Sequence, residues 1–155
     1  VYTGKYRLTD PVKGCPLTVG KLVLSPTRTY APVVRAMLQE HRGDIRGMIH
    51  CSGGGQTKIL HFIDKLHVVK DNLFETPLLF RIIQRESQTP WREMYSVFNM
   101  GHRMELYVDS EAVADDLIRI SKSFGVDAQV VGRVEAADKA SVTITHQNGT
   151  FDYYK

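Results

Sequence analysis

Met48-Ile49-His50-Cys51-Ser52-Gly53-Gly54-Gly55-Gln56-Thr57-Lys58-Ile59-Leu60 is an apolar run that ends in a histidine, passes a hydroxyl residue and three glycines, and resumes with helical spacing. It reads as strand, tight turn and helix, with Ile59, Phe62 and Ile63 on one helical face. Consecutive glycines leave backbone N–H groups unscreened by side chains, so an anion has close access to them. A helix starting there adds its positive end. Ser52 is placed to cap that helix or to donate its hydroxyl to a phosphate oxygen, and Lys58 to add a point charge. A glycine-rich turn with no ligand explains the same residues, because such runs occur wherever a chain needs positive φ. No Gly-Lys-Ser/Thr follows at Walker spacing, and the run is not Gly-x-Gly-x-x-Gly. The residues alone define a candidate phosphate cradle.

Working outward, the strand of residues 45–51 is preceded by a helix over residues 31–40, with Pro32 in its first turn and Val34, Met37 and Leu38 on its apolar face. Lys21-Leu22-Val23-Leu24 reads as a short strand or an extended entry. Downstream, residues 66–69 read as a strand and residues 76–86 as a helix with Leu79, Ile82 and Ile83 facing in. Thr89 is placed to cap a helix from Pro90 that carries Trp91, Met94, Tyr95 and Phe98 on one side. Met104, Leu106 and Val108 alternate as a strand. Ser110 caps a helix over residues 111–124 with a core stripe of Val113, Leu117, Ile120 and Phe124, stopped by Gly125. Residues 128–134 and 141–145 are strands joined by an acidic turn, and Asn148-Gly149 signals a further turn. Alternating strands and helices that finish in a hairpin predict an α+β domain, a mixed β-sheet with packed helices in α/β layers, related to split β-α-β layouts.

At 155 residues the chain is long enough for one domain with a real core. A net charge of +3, with no basic stripe interleaved with aromatics, argues against nucleic acid and suits an anionic small molecule. No apolar run approaches the roughly 20 residues of a membrane span, so no membrane partner is expected. Two cysteines without Cys-x-x-Cys spacing fit free thiols in a reducing cytosol, and a cytoplasmic location is expected. Residues 1–19 are polar, with Gly4, Pro11, Gly14 and Pro16 and no clear period; they read as a linker or a segment of a preceding domain, with the fold proper in residues 20–155. The six histidines show no two-His helical spacing, and no metal site is expected.

Three junctions concentrate polar chemistry. Ser25 to Tyr30 offers threonine hydroxyls, Arg28 and a tyrosine ahead of a helix; His50 to Gly55 offers an imidazole and the glycine amides; Phe98 to Arg103 offers Asn99, Gly101, His102 and Arg103. Either arginine, Arg28 or Arg103, has the planar fork that grips phosphate, and Arg28 also fits a simple carboxylate pair. His50 at the end of an apolar strand reads more often as a satisfied structural histidine. Cys51 follows it directly, and neighbours on a strand point to opposite faces, which argues against a Cys–His nucleophile.

Taken together, Ser25-Pro26-Thr27-Arg28-Thr29-Tyr30, then His50-Cys51-Ser52-Gly53-Gly54-Gly55, then Glu93-Met94-Tyr95-Ser96-Val97-Phe98-Asn99-Met100-Gly101, in this order and at these intervals, resemble the C-terminal domain of aminoimidazole ribonucleotide (AIR) synthetase, phosphoribosylformylglycinamidine cyclo-ligase. The resemblance runs from about residue 20 to about residue 142, and Val130 to Val134 fits the family's end of domain. It implies an AIR synthetase C-terminal-domain-like fold and half of an active site. The family's ligase uses ATP and Mg2+ to close the imidazole ring of formylglycinamidine ribonucleotide in purine biosynthesis. By this likeness ATP and metal belong mainly to an N-terminal domain of the same chain, and the whole enzyme is expected to be a homodimer. His50 is then the catalytic candidate. Thr27, Arg28, Tyr30, Ser52, Gly53, Gly54, Gly55, Asn99 and Gly101 are candidates for holding the small-molecule ribonucleotide and its phosphate. Ser52 stands where the family has threonine, and His102-Arg103 stands where a small residue and a glycine are expected. Another ATP-dependent enzyme of the superfamily, an amidotransferase or a small-molecule kinase, and a non-catalytic binding module are the alternatives.

Overall fold

The computed structural model describes residues 4–25 and 28–155. In chain order the elements are α1 (Val19–Val23), α2 (Ala31–His41), β1 (Ile45–His50), a 3-10 helix (Gly55–His61), β2 (Leu66–Lys70), α3 (Leu78–Ser87), α4 (Trp91–Val97), β3 (Met104–Val108), α5 (Glu111–Ser123), β4 (Gly132–Ala136), β5 (Ser141–His146) and β6 (Gly149–Tyr154). The α+β class read from the alternation holds, with the strands divided between two sheets.

The smaller sheet pairs β1 with β3 antiparallel, Ile49 opposite Glu105 and His50 opposite Met104, with a bulge between Ile45 and Gly47. One face, carrying Ile45, Leu106 and Val108, packs against α2 and α5 through Val33, Met37, Leu117 and Ile120. The larger sheet has the order β4-β2-β5-β6. Its main core joins Val68, Val142, Ile144 and Tyr153 to Ile49, Cys51, Ile59, Leu60, Met94 and Tyr95. The glycine turn therefore lies where the two sheets meet.

Several expectations are corrected. Residues 21–24 are not a strand: Val19–Val23 is a helical turn, with Thr18 Oγ1 accepting from the Lys21 amide at 3.5 Å. Gly20 explains the geometry, since its amide donates to Leu8 O at 2.8 Å and a Cβ there would sit 2.9 Å from that oxygen. Val12, Val19 and Ile82 form a small third core, so part of the N-terminal segment packs on α3.

β4 and β5 do not form a hairpin with each other. β2 inserts between them, antiparallel to β4 and parallel to β5. The approach is tight at Gly132, where a Cβ would lie 1.8 Å from Val69 O. The hairpin is β5–β6, closed by the His146–Gly149 pair with Gly149 at φ +125°.

Thr89 does not cap α4. Its hydroxyl bonds Ser87 Oγ at 2.7 Å, and Pro90 occupies the cap position. Phe124 lies past the end of α5 and is exposed, while Leu117 and Ile120 are buried as expected. Phe62 is also exposed, because the helix after the glycines ends at His61 and Phe62 is its C-cap residue, past the face that carries Ile59.

Candidate functional site

β1 delivers His50 to the mouth of the glycine turn with its side chain exposed, and turns Cys51 inward, where it is 1 % exposed. The two side chains lie on opposite faces and form no couple. Burial pushes the Cys51 thiol up to about 12, and the Glu105 charge adds to the effect. The Cys51 amide donates to Arg103 O at 2.9 Å, which ties the start of the turn to the entry of β3.

Ser52 does not cap the following helix. Gly54 holds the cap position at φ +88° with no side-chain cap bond, and Ser52 Oγ accepts instead from Lys58 Nζ at 2.7 Å. The ammonium is thereby held over the turn. Gly55 is buried, at φ +50°, and its amide is used on Ser52 O at 3.0 Å. The amides of Gly53 and Gly54 make no hydrogen bond among the described residues. The turn therefore leaves these two amides unused, with the Lys58 ammonium beside Ser52. The helix after the turn is a seven-residue 3-10 segment, so the dipole of an α-helix contributes little here.

The second turn lies directly against the first. Asn99 Oδ1 accepts from the Gly101 amide at 3.0 Å, and Asn99 O accepts both the His102 amide, at 2.9 Å, and Gln56 Nε2. Gly101, at φ +98°, has no room for a Cβ, which would lie 2.8 Å from Pro77 Cγ. His102 is buried, and its Nε2 accepts from the Phe74 amide at 3.0 Å, a bond that requires an unprotonated ring. Burial, and then the Lys70 charge, lowers its pKa to about 4.

Beneath both turns runs a buried polar network that sequence reasoning missed. Lys70 Nζ donates to Gln56 O at 2.6 Å, to Gln56 Oε1 at 3.2 Å and to Glu105 Oε1. The other carboxylate oxygen of Glu105 accepts from Tyr107 OH at 2.8 Å. Burial and then the Glu105 charge raise the Tyr107 pKa well above its ordinary value. Lys70 ends an apolar strand, and Glu105 falls on the phase opposite to Met104, Leu106 and Val108, where an alternating strand reads as polar and outward.

The third junction is separate in part. Thr27 lies outside the described residues. Arg28 donates to Gly125 O at 2.8 Å, at the C-terminal end of α5. Tyr30 begins α2 and lines a cavity of ≈ 470 Å³ that also reaches Gly101, His102 and Arg103. His50 and Lys58 share a neighbouring groove of ≈ 630 Å³ with Met48 and Phe62. The structure thus joins the glycine and Asn99 turns, brings Tyr30 to the edge of the second, and directs Arg28 to a helix end.

Among the described residues no three His, Cys, Asp or Glu side chains converge as a metal-holding set. These residues do not fit a magnesium site. Among the described residues no helix is long and apolar enough to cross a membrane.

A family model described as AIR synthase related protein, C-terminal domain, matches residues 12–145. Phosphoribosylformylglycinamidine cyclo-ligase of Methanocaldococcus jannaschii is 37% identical over 117 residues, covering 76% of this chain and 33% of that protein. The enzyme of the same name from Methanopyrus kandleri is 35% identical over 132 residues, covering 85% and 36%. That from Syntrophus aciditrophicus is 32% identical over 152 residues, covering 91% and 41%. The chain spans well under half the length of these relatives. Among solved structures, Escherichia coli HypE, a hydrogenase maturation protein, superposes with a TM-score of 0.55 at 15% identity, over 89% of this chain and 44% of that one. That likeness speaks to fold alone.

Proposed function

The chain belongs to the AIR synthase related protein, C-terminal domain, family, and from that premise we propose that it is the substrate-holding half of an ATP-dependent cyclo-ligase that converts formylglycinamidine ribonucleotide to aminoimidazole ribonucleotide in the cytoplasm. The observation that carries this reading is the junction of the two turns. Gln56, which follows the glycines, donates to Asn99 O and ties the two turns together, while Lys58 bonds Ser52 at the glycines and shares a groove with His50. The names of the relatives supply the substrate class.

In this reading the Gly53 and Gly54 amides and the Lys58 ammonium hold the ribose phosphate, which suits their unspent donors and charge. Ser52 holds Lys58 in place. His50, exposed beside them, serves the reacting end as a hydrogen-bonding or proton-handling group. Tyr30 and Gly101 border the neighbouring cavity, while Arg28 and Thr27 are assigned to the cleft by resemblance only. ATP and magnesium are assigned by resemblance to the rest of the protein, where they would supply the phosphoryl chemistry that ring closure needs. This half then contributes by fixing the ribonucleotide in a reactive position. The whole protein is proposed to work as a homodimer.

The test is an assay of the intact protein for aminoimidazole ribonucleotide formed from formylglycinamidine ribonucleotide. Product that requires both ATP and that substrate supports the reading. ATP consumption only with another acceptor would sink the substrate assignment while leaving the fold untouched.

A further inference from the structure

Lys70 and Glu105 are 1 % and 6 % exposed, yet they sit on strands of different sheets and meet under the site. The three protons of the ammonium are all committed, two of them to Gln56 and one to Glu105. Gln56 is itself fully buried and immediately follows Gly55. Its backbone oxygen is held by Lys70, and its side-chain nitrogen reaches Asn99 O. Glu105 lies opposite Ile49, one residue before His50. Among the described residues no buried side-chain nitrogen or oxygen lacks a partner.

Stability does not explain such an arrangement. Desolvating two charges is expensive, and apolar residues of similar volume commonly fill such a space at no loss of stability. What an ion pair with shared acceptors supplies, and an apolar cluster does not, is direction: fixed angles between the groups it joins.

We propose that Lys70 and Glu105 are positioning residues that act through Gln56 to hold the glycine turn and the Asn99 turn at one separation, and thereby set the affinity for the phosphate-bearing substrate. Neither side chain touches substrate. The affinity part rests on the functional reading above; the positional part does not.

The experiment compares the intact wild-type protein with the double variant Lys70→Met/Glu105→Leu, which removes both charges together. Amide hydrogen exchange is followed at Gly55 and His102, one in each turn, and at Val142 and Ile144 on β5. The expected result is exchange about tenfold faster or more in both turns, with β5 unchanged. In the same proteins the KM for formylglycinamidine ribonucleotide rises about tenfold while the KM for ATP stays put. Equal acceleration everywhere, or none in the turns, overturns the proposal. Looser turns with an unchanged KM overturn its affinity part. If the double variant does not fold, Gln56→Met decides on the same readouts, because it cuts the link to Asn99 while keeping both charges paired. If the wild-type protein closes no ring, the functional reading fails, and exchange alone decides the clamp.

Discussion

A Cβ on Gly55 would stand 2.5 Å from the carbonyl oxygen of Phe98 and 2.7 Å from that of Tyr95. The last glycine of the turn is therefore a contact between the 3-10 helix and the C-terminal end of α4, while the first two glycines are left to face outward. Gly55→Ala combines a left-handed φ of +50° with this overlap and should cost roughly 2–4 kcal/mol of stability. Gly53 has nothing within 4 Å of its Cβ direction, so Gly53→Ala should change stability by about 0.5 kcal/mol or less. Urea unfolding of both variants checks this. If the turn holds phosphate, Gly53→Ala weakens ribonucleotide binding in the intact protein without a matching loss of stability. Equal destabilisation by the two substitutions would contradict the packing described.

His50 is exposed, and its hydrogen bonds among the described residues are made through its backbone, to Met104 across the sheet and from Ser52, so its side chain contributes little to the core. His50→Ala should leave the unfolding midpoint nearly unchanged. Losing one hydrogen bond to a charged or reacting group costs about 1.5–3 kcal/mol, so turnover should fall about tenfold or more. Steady-state kinetics of the intact protein measure it. Unchanged turnover removes His50 from the site.

His102 makes stability depend on pH with a definite sign. Its ordinary value of 6.5 is lowered to about 4 in the fold, chiefly by burial. Between those values the unfolded chain binds a proton that the folded chain refuses, so stability falls as pH drops from about 6.5 to about 4 and this group adds no further loss below that. The loss approaches about 3 kcal/mol. His102→Gln keeps an acceptor for the Phe74 amide and removes the titration. Its urea-derived stability should be flatter than wild type across that window; parallel curves would mean that His102 takes up its proton in the folded state as well.

Much of this architecture is legible locally. α5 carries an apolar period that matches its burial, with Leu117 and Ile120 on one stripe, and Leu106 and Val108 share the β3 phase that packs on it; α2 buries Val33 and Met37, so its face is turned from the Val34-Met37-Leu38 reading. The misreadings come from partners distant in sequence. Leu22 to Leu24 look like a strand, but Gly20 docks on Leu8 and Thr18 caps a helical turn. β4 and β5 look like a hairpin, and only the insertion of β2 separates them. At the site, the glycines and Asn99 announce themselves by residue type. Lys70 and Glu105 do not, because a lone charge at a strand end or in an alternating strand reads as solvated, and the pair forms only when strands 35 residues apart meet.

The two cysteines differ in environment enough to report on the fold. Cys51 is 1 % exposed, its thiol is pushed up to about 12, and its Sγ has only a long contact with Ile49 O at 3.9 Å. Thiolate is the reactive form, and here both the charge and the access are missing. Cys15 is half-buried. Iodoacetamide at mildly alkaline pH should therefore label Cys15 readily and Cys51 only through opening of the core, slower by about a thousandfold or more. Peptide mass spectrometry over time, with and without urea, reads both rates. Comparable rates in the native protein would mean that β1 does not turn Cys51 into the core, and the assignment of His50 to the outward face would fall with it.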